Sequence, residues 1–219
     1  MNDLKGKAVL VTGGSTGIGA AAARAFARQG SRVAIQYNAS SDAATALVEE
    51  IRTAGGEAHM VGGDVRQLPN VSRIVAEALE RLGRIDVLVN NVGSLVKRTP
   101  VAEYTVELLD EILEVNVRQL VWFVREVVPA MRRQGGGCIV NTTSIAARHG
   151  GGPGSVLYAA AKGFVSTATH GWARELAPDR IRVNAVSPGV ILTPFHERFT
   201  TAAQLEAMNP GSRYAVVAL

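Results

Sequence analysis

A single cysteine, Cys138, is all that the 219-residue chain contains, so no internal disulfide can staple it. This fits a reducing compartment. Cys138 lies in the apolar stretch Gly137-Cys-Ile-Val-Asn141, where a thiol behaves as a small core side chain rather than a nucleophile. The four histidines, at 59, 149, 170 and 196, have no paired ligand spacing, and no catalytic metal is expected. No apolar run approaches the roughly 18 residues of a membrane span, and Met1-Asn-Asp-Leu-Lys5 lacks a signal-peptide core. The expected location is the cytoplasm, without membrane attachment. Basic runs are also missing. Lysine and arginine total 23 against 19 acids, and nothing longer than Arg132-Arg133 is contiguous, which describes a solvated surface and no nucleic-acid partner. No linker rich in proline, glycine or serine divides the chain, and no internal repeat is apparent. With 47% hydrophobic residues, positions 1–219 read as one domain around one core.

What is present is an alternation. Short β-branched runs at 7–12, 32–37, 57–61, 85–90, 137–142 and 181–186 are predicted strands. Helical patterns occupy 17–29, 41–54, 67–82, 103–132 and 155–176, with Ser155 the candidate cap of the last. Such alternation specifies an α/β fold: a doubly wound parallel sheet of the Rossmann type, in order 3-2-1-4-5-6. Ligands in such folds bind beyond the carboxyl ends of the strands.

Two motifs fall at those ends. Val9-Leu-Val-Thr-Gly13-Gly-Ser-Thr-Gly17-Ile-Gly19 runs a strand into a glycine turn and then into an alanine-rich helix. Glycines permit the tight turn and close backbone approach to a pyrophosphate, and the helix start offers unpaired N–H groups. Far along the chain, Tyr158 and Lys162 stand four residues apart, hence on one face of a helix. A nearby ammonium favours the phenolate, so Lys162 is expected to lower the Tyr158 pKa and ready it for proton exchange with an alcohol or ketone oxygen.

Thr12-Gly-Gly-Ser-Thr-Gly-Ile-Gly19, Asn90-Asn-Val-Gly93, Asn116, Ser144, Tyr158-x-x-x-Lys162 and Pro188-Gly189 occur in one order. Over residues 5–193 the chain resembles the classical short-chain dehydrogenases/reductases. The resemblance implies a catalytic set of Asn116, Ser144, Tyr158 and Lys162. Ser144 would polarise the substrate oxygen and Tyr158 exchange its proton. Lys162 would also hold the nicotinamide ribose, and Asn116 would anchor a water that relays protons toward Lys162. It further implies cofactor contacts from Gly13, Ser15, Thr16, Gly17, Ile18 and Gly19 in the turn. Asp64 and Val65 would serve at adenine, Asn90 and Gly93 at the adenosine half, and Pro188, Gly189, Val190 and Thr193 at the carboxamide. The substrate pocket would be lined by 94–98, 146–154 and 191–208. Self-association, at least to a dimer, is implied through the helices at 103–132 and 155–176.

The reaction implied is reversible hydride transfer between a nicotinamide and a secondary alcohol or ketone. Family members usually continue through another helix and a seventh strand, whereas this sequence ends at Asn209-Pro-Gly-Ser-Arg-Tyr-Ala-Val-Val-Ala-Leu219. The seventh strand is therefore in doubt, and a non-catalytic dinucleotide-binding protein with an incomplete substrate pocket is the alternative.

Cofactor choice is written at the end of the second strand, where an acid would bind the ribose 2′-hydroxyl of NAD and repel a 2′-phosphate. Here Gln36-Tyr-Asn-Ala-Ser-Ser41 contains none. Asn38, Ser40 and Ser41 can donate to phosphate oxygens, so NADP is the expected cofactor and NAD the alternative. Replacing Asn38 by Asp would set a carboxylate against the 2′-phosphate. The ratio of kcat/KM for NADP over NAD should then fall roughly tenfold or more. An unchanged ratio, or a wild type that already prefers NAD strongly, would contradict this reading of 36–41.

Overall fold

The computed structural model describes residues 2–200 and 217–218. Six parallel strands form the main sheet: β1 Ala8–Val11, β2 Arg32–Tyr37, β3 Glu57–Gly62, β4 Val87–Asn90, β5 Gly137–Thr142 and β6 Ile181–Val186. Their order is β3-β2-β1-β4-β5-β6, as the alternation of patterns predicts. Between them run α1 Gly17–Arg28, α2 Ser41–Thr53 and α3 Leu68–Leu82; α4 Val106–Leu113 and α5 Gln119–Arg133; then α6 Ala146–His149 and α7 Val156–Glu175.

Central strands covered on both faces have no polar side, and β1 and β4 are buried at every position. Alternate side chains then feed two cores. Val9 and Val11 pack with Ala20 and Ala23 of α1 and Leu47 and Ile51 of α2. Ala8 and Leu10 face the other way, toward Ile74 and Val75 of α3 and Phe123 and Val127 of α5. Phe123, Leu10 and Ile139 are fully buried, each contributing about 1.5–3 kcal/mol of apolar transfer.

The helix expected over 103–132 is not regular. Between α4 and α5 lies a wide π-type turn, Glu114–Arg118, in which the Gln119 N–H reaches back to the Glu114 carbonyl. Asn116 supplies a cause, because its Nδ2 donates to the Ile112 carbonyl (2.9 Å), competing with the backbone for that acceptor. Ser155 precedes α7 without capping it; its hydroxyl donates instead to the Gly152 carbonyl (2.7 Å), closing the preceding glycine loop.

After β6 come β7 Ile191–Leu192 and α8 Pro194–Phe199; β8 Val217–Ala218 pairs in parallel with β7, apart from the main sheet. Among the described residues the main sheet has no seventh strand, and the segment 201–216 lies outside them. No helix among the described residues is long and apolar enough to cross a membrane. Nor do these residues group three or more His, Cys, Asp or Glu side chains as a metal site would.

Candidate active site

The carboxyl ends of β1, β4, β5 and β6 open into a cleft of about 870 Å³. At one end is the glycine turn. Gly13 has φ +58°, and a Cβ there would lie 3.1 Å from Val92. Gly19 does not line the cleft; a Cβ on it would collide with the Gly13 carbonyl oxygen, so its smallness lets α1 close onto the turn. Thr16 begins α1 without a side-chain cap, which leaves the first N–H groups of the helix to a ligand. Gln36, buried, pins the turn from β2: its Oε1 accepts from the Gly13 N–H (2.8 Å) and its Nε2 donates to the Gly63 carbonyl (2.8 Å). These features fit a dinucleotide pyrophosphate.

Ser15, Thr16, Gly17, Ile18, Asn38, Asp64, Val65, Gly93, Pro188, Gly189, Val190 and Thr193 all border the cleft, as expected. Besides Gly19, two residues differ. Ser40 is exposed at the start of α2 and away from the lining, because the chain has already turned outward after Asn38. Asn90 is buried within the sheet, where its Nδ2 donates to Asn141 Oδ1 (2.9 Å) and joins β4 to β5. Its neighbour Asn91 borders the cleft instead, donating to the carbonyls of Thr12 (3.1 Å) and Gly13 (3.0 Å). The alternation of side chains along a strand decides between the two. Arg66 was not foreseen. It forks onto Asp64 (2.7 Å) and approaches Glu111 (3.7 Å), so neither acid is free at that end of the cleft.

At the other end, the last residues of β5 grip α7. Lys162, fully buried, donates from Nζ to the Thr142 carbonyl (2.9 Å), while its own carbonyl accepts from Thr143 Oγ1 (2.8 Å). Thr143 also bonds Ser166 Oγ (2.8 Å), so its hydroxyl is committed to the helix. Ser144, next along, borders the cleft beside Tyr158. Asn116 accepts from the Ser94 N–H (3.1 Å) and donates to the Ser94 carbonyl (2.8 Å), fixing the loop after β4. A Cβ on Gly93 would stand 2.6 Å from Lys162 Nζ and 3.0 Å from Asn116 Oδ1, so only glycine lets these two groups converge.

Electrostatics here run opposite to the expectation for Tyr158. Burial holds its phenol above the ordinary value, and only the Ser144 hydroxyl pulls the other way. Lys162 Nζ lies 5.9 Å from the Tyr158 ring centroid and spends a donor on Thr142. Burial pushes the amine itself down to about 8, so near neutrality it is less securely charged than the expectation assumed.

With this geometry, the comparisons decide the family. The family model described as short chain dehydrogenase matches residues 7–204. The chain belongs to the short-chain dehydrogenase/reductase family. Members are NAD(P)-dependent oxidoreductases. Among relatives, this short-chain dehydrogenase is 42% identical over 197 residues to a probable galactose dehydrogenase of Rhizobium meliloti, covering 90% of the chain and 76% of the relative. Its fold superposes on a short-chain dehydrogenase of Burkholderia cenocepacia in complex with NADP, with TM-score 0.90, 34% identity, and coverage of 99% and 87%. It also matches an NADH-dependent reductase complexed with NAD, with TM-score 0.82, 33% identity, and coverage of 87% and 81%.

The depressed Lys162 pKa has a testable sign. The unfolded chain holds this proton up to about 10.5 and the folded chain only to about 8, so unfolding takes up a proton between those values. The contribution of Lys162 to stability therefore rises with pH across that window. Without cofactor, urea unfolding of wild type and Lys162→Met should show wild type gaining on the variant from pH 8 to 10. Tyr158, present in both, cancels. A constant difference would contradict the burial of this amine.

Proposed function

We propose that this enzyme catalyses reversible hydride transfer between NADP and a secondary alcohol or ketone, with Tyr158 as the acid/base. One observation carries the reading: Tyr158 and Ser144 border the same cleft as the uncapped glycine turn, with Lys162 buried beneath them. A bound nicotinamide supplies or accepts the hydride; the chain's own residues handle the substrate oxygen. In reduction, the Tyr158 hydroxyl donates its proton to that oxygen as negative charge builds there, and Ser144 donates a hydrogen bond to the same atom. Tyr158 holds its proton near neutrality, its phenol pKa being raised further by burial. Lys162 offers positive charge to the phenolate that results and a donor to the nicotinamide ribose. Asn116, beside Lys162 at Gly93, is assigned to anchoring a proton-relaying water.

NADP is favoured because the cleft at the end of β2 is bordered by Gln36, Tyr37 and Asn38, without an acid. Asp64, a carboxylate that borders the same cleft, is held by Arg66. The name of the Rhizobium relative supports a small-molecule substrate. We further infer at least a dimer through the outer faces of α4 and α7, where Val106, Leu109, Val156 and Phe164 are exposed. Light scattering that shows a strict monomer across a range of concentrations would exclude this assembly.

Nicotinamide absorbance with NADPH and a panel of ketones tests the reaction. Tyr158→Phe should remove nearly all turnover while cofactor binding survives. Ser144→Ala should slow turnover by about 10²-fold. Thr143→Ala should cost much less, since its hydroxyl serves the helix. Binding of NADPH without turnover of any ketone, or a larger loss at Thr143 than at Ser144, would contradict these assignments.

A further inference from the structure

Beyond Tyr158 and Ser144, the cleft ends in a wall whose charge has one sign. Asp64 and Glu111 are the carboxylates on its lining among the described residues, and both lie against Arg66 at the adenine end. The opposite end is bordered by Arg98, His149, His196 and Arg198.

Arg98 is the organising group. It leaves the loop after β4 half-buried, and its Nε donates to the Phe199 carbonyl (2.9 Å) at the end of α8. Its Nη1 donates to the Pro153 carbonyl (2.9 Å) in the glycine loop before α7. Two neutral acceptors thus hold the guanidinium in place and leave three of its five donors and its whole charge uncompensated among the described residues. A cation so held is preorganised for an anion, because its own ordering is complete before the ligand arrives. That charge reaches His196, whose pKa lies below the ordinary value through burial first and Arg98 second. His196 Nδ1 pairs with Thr200 Oγ1 (2.9 Å), which leaves Nε2 for a ligand. Phe195 stands between the wall and the reacting centre, with its ring 5.8 Å from Tyr158 and 5.4 Å from His196.

We infer that the substrate is an oxo or hydroxy acid whose carboxylate is bound by Arg98 and His196 while an apolar spacer crosses Phe195 to the reacting carbon. The inference rests on the reaction proposed above and adds its substrate class. One guanidinium without an acidic partner among the described residues, beside a neutral imidazole, matches one negative charge, and the planar fork suits a carboxylate. The carboxylate is unchanged in the reaction: reduction adds a hydride to the carbonyl carbon and the Tyr158 proton to its oxygen.

The test compares 4-oxopentanoate and 6-oxoheptanoate, each against its methyl ester, with NADPH. For the better acid of the two, kcat/KM should exceed that of its ester by about tenfold or more, the scale of one charged hydrogen bond. Arg98→Gln should bring this acid-to-ester ratio toward one, and Arg98→Lys should retain much of it. If Arg98 only ties loops together, both substrates lose equally and the ratio stays put, which would overturn the inference. So would a wild type that turns over the esters as well as the acids. A second arm is independent of turnover. With the protein saturated in NADP+, NMR titration of His196, assigned through His196→Gln, should show its pKa rise when either acid is added and not when the esters are. If no ketone is reduced, the proposed reaction fails, and this titration still decides: a rise supports a carboxylate site, and no rise overturns it.

Discussion

Placing a buried lysine amine at the centre of the site is the constraint on which the rest of the arrangement depends. Such a charge is costly unless its donors are met, and Lys162 meets Thr142 at the end of β5. The strand end and the helix are then locked in one register by Thr143, which takes the Lys162 carbonyl and Ser166. That register in turn decides which residue faces the cleft. The Thr143 hydroxyl is spent on α7, whereas Ser144, next along, borders the cleft beside Tyr158. Gly93 lacks a side chain where the amine and Asn116 converge. Asn116 reaches that point from a helix whose regular spacing its own side chain interrupts.

The sheet order does the remaining positioning. Strands β1 and β4 are neighbours, so the glycine turn after one and the loop after the other stand side by side and are laced by Asn91, while Gln36 ties the turn to the end of β3. The glycine-turn end of the cleft is therefore built from backbone donors, turn and uncapped helix together. The opposite end is built from side chains of α7, α8 and the loop after β4, held by Arg98. One end is set by what the fold requires of any dinucleotide binder, and the other is open to variation in chemistry.

Much of this was legible in the sequence, and the failures have physical reasons. The six strands fall within two residues of their expected bounds; the central β1 and β4, buried at every position, leave unbroken apolar runs, whereas the edge strands β3 and β6 are marked by the alternation around them. The four-residue step from Tyr158 to Lys162 and the order of the glycine motif located both ends of the cleft. Periodicity is silent on which of two adjacent polar residues faces a ligand, so Asn90 was chosen where Asn91 lines the cleft, and Ser40 was included although the chain turns away after Asn38. The π-type turn at Glu114–Arg118 left no trace in the apolar pattern, since its cause is one side-chain hydrogen bond. The Tyr158 shift was misjudged because spacing reveals a nearby charge but not burial, and burial is the larger effect here.

The central claim is that burial, rather than charge pairing, sets the protonation of this site before substrate arrives. It is tested most directly by NMR titration of the Lys162 ε-carbon in the cofactor-free protein, assigned by comparison with Lys162→Met. A midpoint near 8 is the result the account predicts. A midpoint at the ordinary lysine value near 10.5 would show that the amine is solvated or paired, and the account would be wrong.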